Sequence, residues 1–358
     1  MSKIIALFQG LSQIVTDPEL NSGISYFPEI GMRKGKWTIV FDQIRHFLKY
    51  HSLNKFYFLY GFDRKGFRNE SEYIDYETFR KRRELLNRYD KNSPITILRD
   101  KFLFGIIANA IGLKTPHNIG LTRGQNLYLI EEKREIDLFD FLHTNDIDVF
   151  FKLINGECAD GVFHLTTNSG DIKLNDKVVG DEEIYQKIKG NSFILQELIS
   201  QCDQLNNLHS ESINTIRLET IYNRKSQKIE IFPPLLRIGT NKNNVDNWAT
   251  GGLAVTINME DSCLGKYGFY KPHFGTKASK HPNSGISFEG YKIPFLAEAI
   301  EQAVRFHTFL PSIHSIGWDI AITKDGPCFV EGNDNWEVSL VQICSHGLAK
   351  EFNDWFTC

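Results

Sequence analysis

The run IGWDIAITKDGPCFVEGNDN, residues 316–335, constrains this chain more than any other. It reads as two short β-rich segments, 317–323 and 327–333, joined at an Asp325-Gly326 turn signal. Inside that apolar sequence stand three oxygen-bearing side chains, Asp319, Glu331 and Asn333. Register decides whether they meet. A two-residue loop at Asp325-Gly326 pairs Lys324 with Pro327, sets Asp319 opposite Gly332 and sends Glu331 to the other face. A three-residue loop, Lys324-Asp325-Gly326, pairs Thr323 with Pro327 and Asp319 with Glu331, and Asn333 then shares their face. Opposed, buried like charges repel, so this second register makes sense with a cation between them. Oxygen ligands without histidine or cysteine suit magnesium, with manganese as the alternative, rather than zinc. The competing reading is a solvated edge hairpin.

The rest of the chain allows a substantial fold around that hairpin. Its 358 residues suffice for two or three lobes with their own cores, and 41% hydrophobic with 24% charged residues is ordinary for a globular protein. A formal net charge of −3 gives no global case for nucleic acid as a partner. Six cysteines without a CxxC pair argue against a zinc ribbon or disulfide scaffold, so reduced thiols and a cytoplasmic setting are expected. The first residues make a poor secretory signal, and the apolar run 102–113 is too short for an integral membrane segment.

Three regions follow from the periodicity. Residues 1–92 read as helical, with helix-period segments at 38–50 and 73–89. Residues 93–198 read as a smaller α+β lobe. It opens with a helix capped by Asp100 and stopped at Gly112, continues with strands at 126–130, 149–154, 161–165 and 170–174, and ends with a helix at 182–189 and a strand at 192–199. Residues 199–358 read as a larger α+β lobe, with strands at 213–222, 228–238 and 252–258, a polar loop at 271–285, a helix at 293–309, the hairpin and a further helix.

Several residues within this frame can carry chemistry. Lys152 lies in VFFKLI, a strand apolar on both faces, where a lysine must snorkel or meet an anion. Gly156 and Gly161 follow in a loop whose backbone amides can approach a phosphate, although it has neither Walker A nor GxGxxG spacing. Lys101 sits in the first turn of its helix. Alternation places Thr215, Arg217 and Glu219 on one strand face. Arg217 and Arg237 have the donor geometry for charge building on phosphoryl oxygens, or for a structural salt bridge, Arg217 then pairing with Glu219 or Glu197.

In this order, lysine, glycine loop, QELI strand, NTIR and D…ExN resemble the ATP-grasp superfamily. The run NKNNVDNWATGGLAV from Asn241, HPNSG at His281, GWDIAITKDGP and EGNDNW look like the sugar-transfer-associated ATP-grasp family, related to α-L-glutamate ligases. The resemblance covers about residues 93–342. It implies two α+β lobes with ATP between them. Lys101 and Lys152 would contact ATP phosphates under the Gly156–Gly161 loop. Gln196, Glu197 and Ile199 would read adenine, and Asp203 the ribose. Asp319, Glu331 and Asn333 would hold magnesium, and Arg217, with Arg237 as second candidate, would face the transferred phosphoryl group. A helical amino-terminal region in place of a Rossmann-like domain is a departure, as is Cys202, which reads as a buried structural thiol.

The implied activity is ATP-dependent carboxylate–amine ligation through an acyl phosphate, with a small-molecule carboxylate and an amino or sugar-linked acceptor in polysaccharide synthesis. The alternatives are an ATP-grasp kinase acting on a hydroxyl and a nucleotide-binding scaffold without turnover. Asn247, Trp248, Gly251, Gly252 and His273 are the candidates for the substrate pocket.

Overall fold

The structure is a computed structural model that describes residues 24–87, 94–156, 161–241, 246, 248–271 and 274–357. The amino-terminal region is helical where its 3.6-residue period is strongest, in α1 (Lys36–Tyr50) and α2 (Tyr76–Leu86). The Asp75 side chain caps α2 by accepting from the Thr78 amide. This region does not stand alone. Tyr26, Tyr57 and Phe79 share one core with Phe232, Trp336 and Phe356 from the far end of the chain, and Phe79 meets the Trp336 ring at 4.7 Å between centroids.

Next come α3 (Ile95–Arg99) and α4 (Lys101–Ala110), with Asp100 between them. Its carboxylate accepts from the Phe102 and Leu103 amides at 2.9 Å each, so the expected cap is present, and Gly112 follows at φ +76°.

The smaller lobe runs β1 (Asn118–Arg123), β2 (Asn126–Leu129), β3 (Arg134–Asp137), α5 (Leu138–Thr144), β4 (Asp148–Leu153), β5 (Val162–Asn168), β6 (Asp171–Leu174), β7 (Lys177–Val178), α6 (Asp181–Ile188) and β8 (Phe193–Glu197). The strands form one antiparallel sheet in the order β3-β2-β1-β8-β4-β5-β6-β7. Alternate residues of β4 and β5, such as Val149, Phe151 and Leu165, pack with α5 and α6.

The larger lobe runs α7 (Asp203–Leu208), β9 (Thr215–Asn223), β10 (Lys228–Ile231), β11 (Leu235–Ile238), β12 (Leu253–Ile257), β13 (Leu264–Tyr270), β14 (Lys277–Ala278), α8 (Leu296–Thr308), β15 (Ser315–Thr323), β16 (Gly326–Asn333), α9 (Val338–Cys344) and α10 (Ala349–Trp355). Its antiparallel sheet has the order β14-β13-β12-β11-β9-β15-β16, with β10 also paired to β9. The single strand expected over 228–238 is two strands, because Pro233 and Pro234 cannot donate to a ladder.

All nine residues of β15 are buried, which fits a strand covered on both faces. Ile316, Trp318, Ile320 and Ile322 belong to the core under α8, where Trp318 stacks on Phe306 at 4.9 Å. Truncating either ring to alanine would cost about 3–5 kcal/mol. Gly317, Asp319 and Ala321 point to the opposite face by the period of two, as do Thr215, Arg217 and Glu219 on the adjacent β9. That face borders a cleft. The expected α+β architecture with a helical amino-terminal region is the one observed. Among the described residues no helix is long and apolar enough to cross a membrane.

Candidate functional site

The hairpin places Asp319 directly across from Glu331, as the second register requires. It reaches that pairing by another route. Thr323 pairs with Gly326, so the turn is Lys324-Asp325, and Ile322, Ala321 and Ile320 follow opposite Pro327, Cys328 and Phe329. A one-residue shift between Phe329 and Glu331 then moves Glu331 onto the Asp319 face. The three-residue turn is therefore replaced by a two-residue turn plus a bulge at Val330. The Thr323 hydroxyl closes the turn, donating to the Gly326 carbonyl at 2.9 Å and accepting from the Asp325 amide at 3.3 Å.

Asn333 joins the two acids. Its carboxamide nitrogen donates to Asp319 Oδ2 at 3.4 Å and to Glu331 Oε1 at 3.2 Å, a positive pole between two carboxylates. Burial and the nearby Asp319 charge push Glu331 above the ordinary carboxylate range. Burial acts on Asp319 in the same direction, but the Arg217 and Arg237 guanidiniums outweigh it and hold Asp319 low. A divalent cation here would relieve the strain on Glu331 and use the carboxamide oxygen of Asn333 after a half-turn. The donor set of two carboxylates and one carboxamide fits a hard oxygen-seeking cation. It is an open set, and among the described residues no group of three or more acidic, histidine or cysteine side chains forms a closed metal cage.

The arginines face these acids rather than Glu219 or Glu197. Arg217 is the cross-strand neighbour of Asp319, with Nη2 donating to Oδ2 at 3.1 Å and Nε in ion contact with Oδ1 at 2.7 Å. The Nε contact is too bent for a hydrogen bond. Arg237 donates from Nη2 to Asp246 at 2.8 Å and lies 3.5 Å from Asp319. Around Arg217 the NTIR motif is a scaffold. Buried Asn214 donates to Gln201 and to the Leu205 and His209 carbonyls, and Thr215 is held by Asp246. His281 of the HPNSG motif is likewise buried against the Gly239 carbonyl.

The smaller lobe supplies the opposite wall of the same cleft, about 600 Å³ in volume. Lys101, Lys152, Gly156, Gln196, Glu197 and Ile199 line it together with Arg217, Arg237, Asp319, Glu331 and Asn333. Lys101 donates to the Gly156 carbonyl at 2.6 Å, tying α4 to the glycine loop. Burial brings the Lys152 ammonium down to about 8, against the pull of Glu331. Gln196 is buried and donates to Asn118 at 2.7 Å, whereas the exposed Glu197 side chain meets His117. Two candidates stand apart from the lining: Gly161, and Asp203, which is exposed in the first turn of α7. Residues 157–160 of the loop lie outside the described residues.

The cleft is also lined by residues that sequence alone did not single out. Phe56 and Tyr76 come from the amino-terminal region, and Trp336, Glu337 and Leu340 follow the hairpin. Trp248 also lines the cleft and donates from its indole to the Phe269 carbonyl at 2.9 Å. Gly251 and Gly252 are buried outside the lining, and Asn247 and His273 lie outside the described residues. Glu219 is fully buried beside Arg217, and burial pushes its carboxyl up to about 8. Cys202 is a buried free thiol in the core under α8, as expected.

Two antiparallel sheets that face one cleft, with Lys152 from one and the acids from the other, are the arrangement of the ATP-grasp fold. The family model described as sugar-transfer associated ATP-grasp matches residues 80–354, and the chain belongs to that family. Comparison with curated proteins gives no match. Among solved structures the chain is similar to D-alanine–D-alanine ligase from Helicobacter pylori, at 11% identity over 73% of this chain and 60% of that one, with a TM-score of 0.40. It is also similar to an L-amino acid ligase from Bacillus licheniformis, at 11% identity over 73% and 46% with a TM-score of 0.39. A third likeness is to N5-carboxyaminoimidazole ribonucleotide synthetase from Thermus thermophilus, at 13% identity over 73% and 54% with a TM-score of 0.38. The chain thus spans about half of the length of these proteins.

Proposed function

We propose that this protein is an ATP-dependent carboxylate–amine ligase. The observation that carries the reading is convergence. Lys101 and Lys152 from one lobe, and Asp319, Glu331 and Asn333 from the other, border a single cleft large enough for a nucleotide and a small substrate. Bound ATP with magnesium would supply a γ-phosphoryl group for transfer to a substrate carboxylate oxygen, releasing ADP and leaving an acyl phosphate that an amine converts to an amide with loss of phosphate.

The chain's own part is positioning and charge. Lys101 and Lys152 hold phosphate oxygens, Gly156 approaches them by its backbone, and Gln196, Glu197 and Ile199 frame the base. Asp203 is the candidate for the ribose. Arg217 and Arg237 neutralise charge on the phosphoryl oxygens, and Asp319, Glu331 and Asn333 orient the cation. No nucleophilic side chain is needed. The aromatic lining residues Phe56, Tyr76, Trp248 and Trp336 receive the acceptor, which the family description suggests is sugar-linked, in a cytoplasmic step of polysaccharide or related conjugate synthesis.

The test is ADP release from the purified protein with ATP and magnesium across a panel of amino acids and amino sugars, followed by mass spectrometry of the product. An amide product, lost in Glu331→Gln, supports the reading. A stable phosphorylated alcohol makes the protein a kinase, and no ADP with any pair makes it a scaffold.

A further inference from the structure

Arg217 occupies the oxygens that a cation would need. The guanidinium lies across both oxygens of Asp319, with Nη2 hydrogen-bonded to Oδ2 at 3.1 Å and Nε in ion contact with Oδ1 at 2.7 Å. A magnesium ion demands its own oxygen ligands at about 2.1 Å in near-octahedral geometry, so a guanidinium clamped across the same carboxylate must give way. Arg237 need not move. Its firm partner is Asp246 at 2.8 Å, which the Thr215 amide holds in place at 3.0 Å.

Two residues along the same face of β9 from Arg217 stands Glu219, fully buried. Neither of its carboxyl oxygens accepts a hydrogen bond from the described residues. A buried carboxyl without a donor is costly, and folds rarely keep one without use. Across the β9–β15 pair its neighbour is Gly317. A Cβ on Gly317 would lie 3.4 Å from Arg217 Nη1, so the guanidinium already borders the position facing Glu219. Glycine there makes room for the Trp336 side chain, whose Cβ and Cγ would lie 2.6 and 3.0 Å from a Cβ at that position.

We propose that Glu219 is the receiving partner of Arg217: a divalent cation that takes Asp319 displaces the guanidinium, which turns along the strand face and donates to the Glu219 carboxyl. Glu219 is thus a positioning residue that makes cation entry at Asp319 favourable by giving the displaced charge a partner. This rests on Asp319, Glu331 and Asn333 being the cation ligands, as proposed above.

The test is Mn²⁺ binding, followed by electron paramagnetic resonance, to the wild type, Glu219→Gln, Arg217→Gln and the double variant. A charged partner lost from a buried site corresponds to about a tenfold change in affinity. Glu219→Gln should therefore bind Mn²⁺ about tenfold more weakly. In the Arg217→Gln background the same change should have no effect, since no guanidinium needs a new partner. An equal loss in both backgrounds, or none in either, overturns the proposal. A second readout needs no ligand: metal-free Glu219→Gln should melt at or above the wild-type temperature, because the amide keeps the shape and cannot bring a charge into the buried site, whereas a structural glutamate would lower it. Wild-type protein that ignores Mn²⁺, or binding that survives Glu331→Gln, would remove the cation site itself and this proposal with it.

Discussion

Replacing Glu331 by glutamine should change stability and ligand response in opposite directions. In the metal-free protein Glu331 faces Asp319 across the hairpin, and burial with that neighbouring charge pushes its carboxyl up. Opposed like charges cost about 0.2–1 kcal/mol, so the neutral amide should leave the metal-free protein unharmed or more stable by up to about 1 kcal/mol. Unfolding entropy of about 2.1 cal/mol/K per residue gives roughly 0.75 kcal/mol per degree for a chain of this length, so the gain amounts to about 1 °C. Ligand response should collapse. At a hundredfold excess over its Kd, magnesium with a non-hydrolysable ATP analogue stabilises the wild type by about 2.7 kcal/mol, or between about 3 and 4 °C. A variant that binds about a hundredfold more weakly retains about 0.4 kcal/mol, which is near the noise. Thermal unfolding of both proteins, with and without that ligand pair, reads all four values. A glutamine variant that melts well below the wild type without ligand, yet keeps the full ligand shift, refutes the assignment.

Three further outcomes follow from buried groups. His307 and His314 are buried and held down to about 4, so the unfolded chain takes up their protons first. Stability should fall as pH drops from about 6.5 to 4, by up to about 1.4 kcal/mol per pH unit for each, and urea unfolding of His307→Gln should show a shallower slope. Lys152, brought down to about 8, loses its charge above that pH. ATP affinity measured by calorimetry should therefore weaken between pH 7 and 9 in the wild type, and much less in Lys152→Gln. Cys202→Ser should cost about 1–3 kcal/mol of stability through burial of a hydroxyl, while leaving KM for ATP within about twofold.

Much of the site was legible because it rests on local pattern. Alternation puts Arg217 on one face of β9 and Asp319 on one face of β15, and the acids of the hairpin could be paired by register. What was not legible depends on neighbours distant in sequence. The bulge at Val330 lies in an apolar run without glycine, and nothing local distinguishes it from a longer turn. The partner of Arg217 is set by the β9–β15 register, which joins positions 102 residues apart. Phe56 and Tyr76 reach the cleft only because the amino-terminal helices share a core with Trp336 and Phe356. The double proline at 233–234 splits the single strand expected over 228–238, outweighing the β-rich residues around it.

The most direct test of the central claim is the fate of carboxylate oxygen. With a carboxylate from the panel labelled with ¹⁸O, ATP, magnesium and the matching amine, the account predicts one ¹⁸O atom in the released phosphate for each amide formed, because the attacking oxygen leaves with phosphorus. Phosphate without label, or a label retained wholly in the organic product while ADP forms, would contradict it.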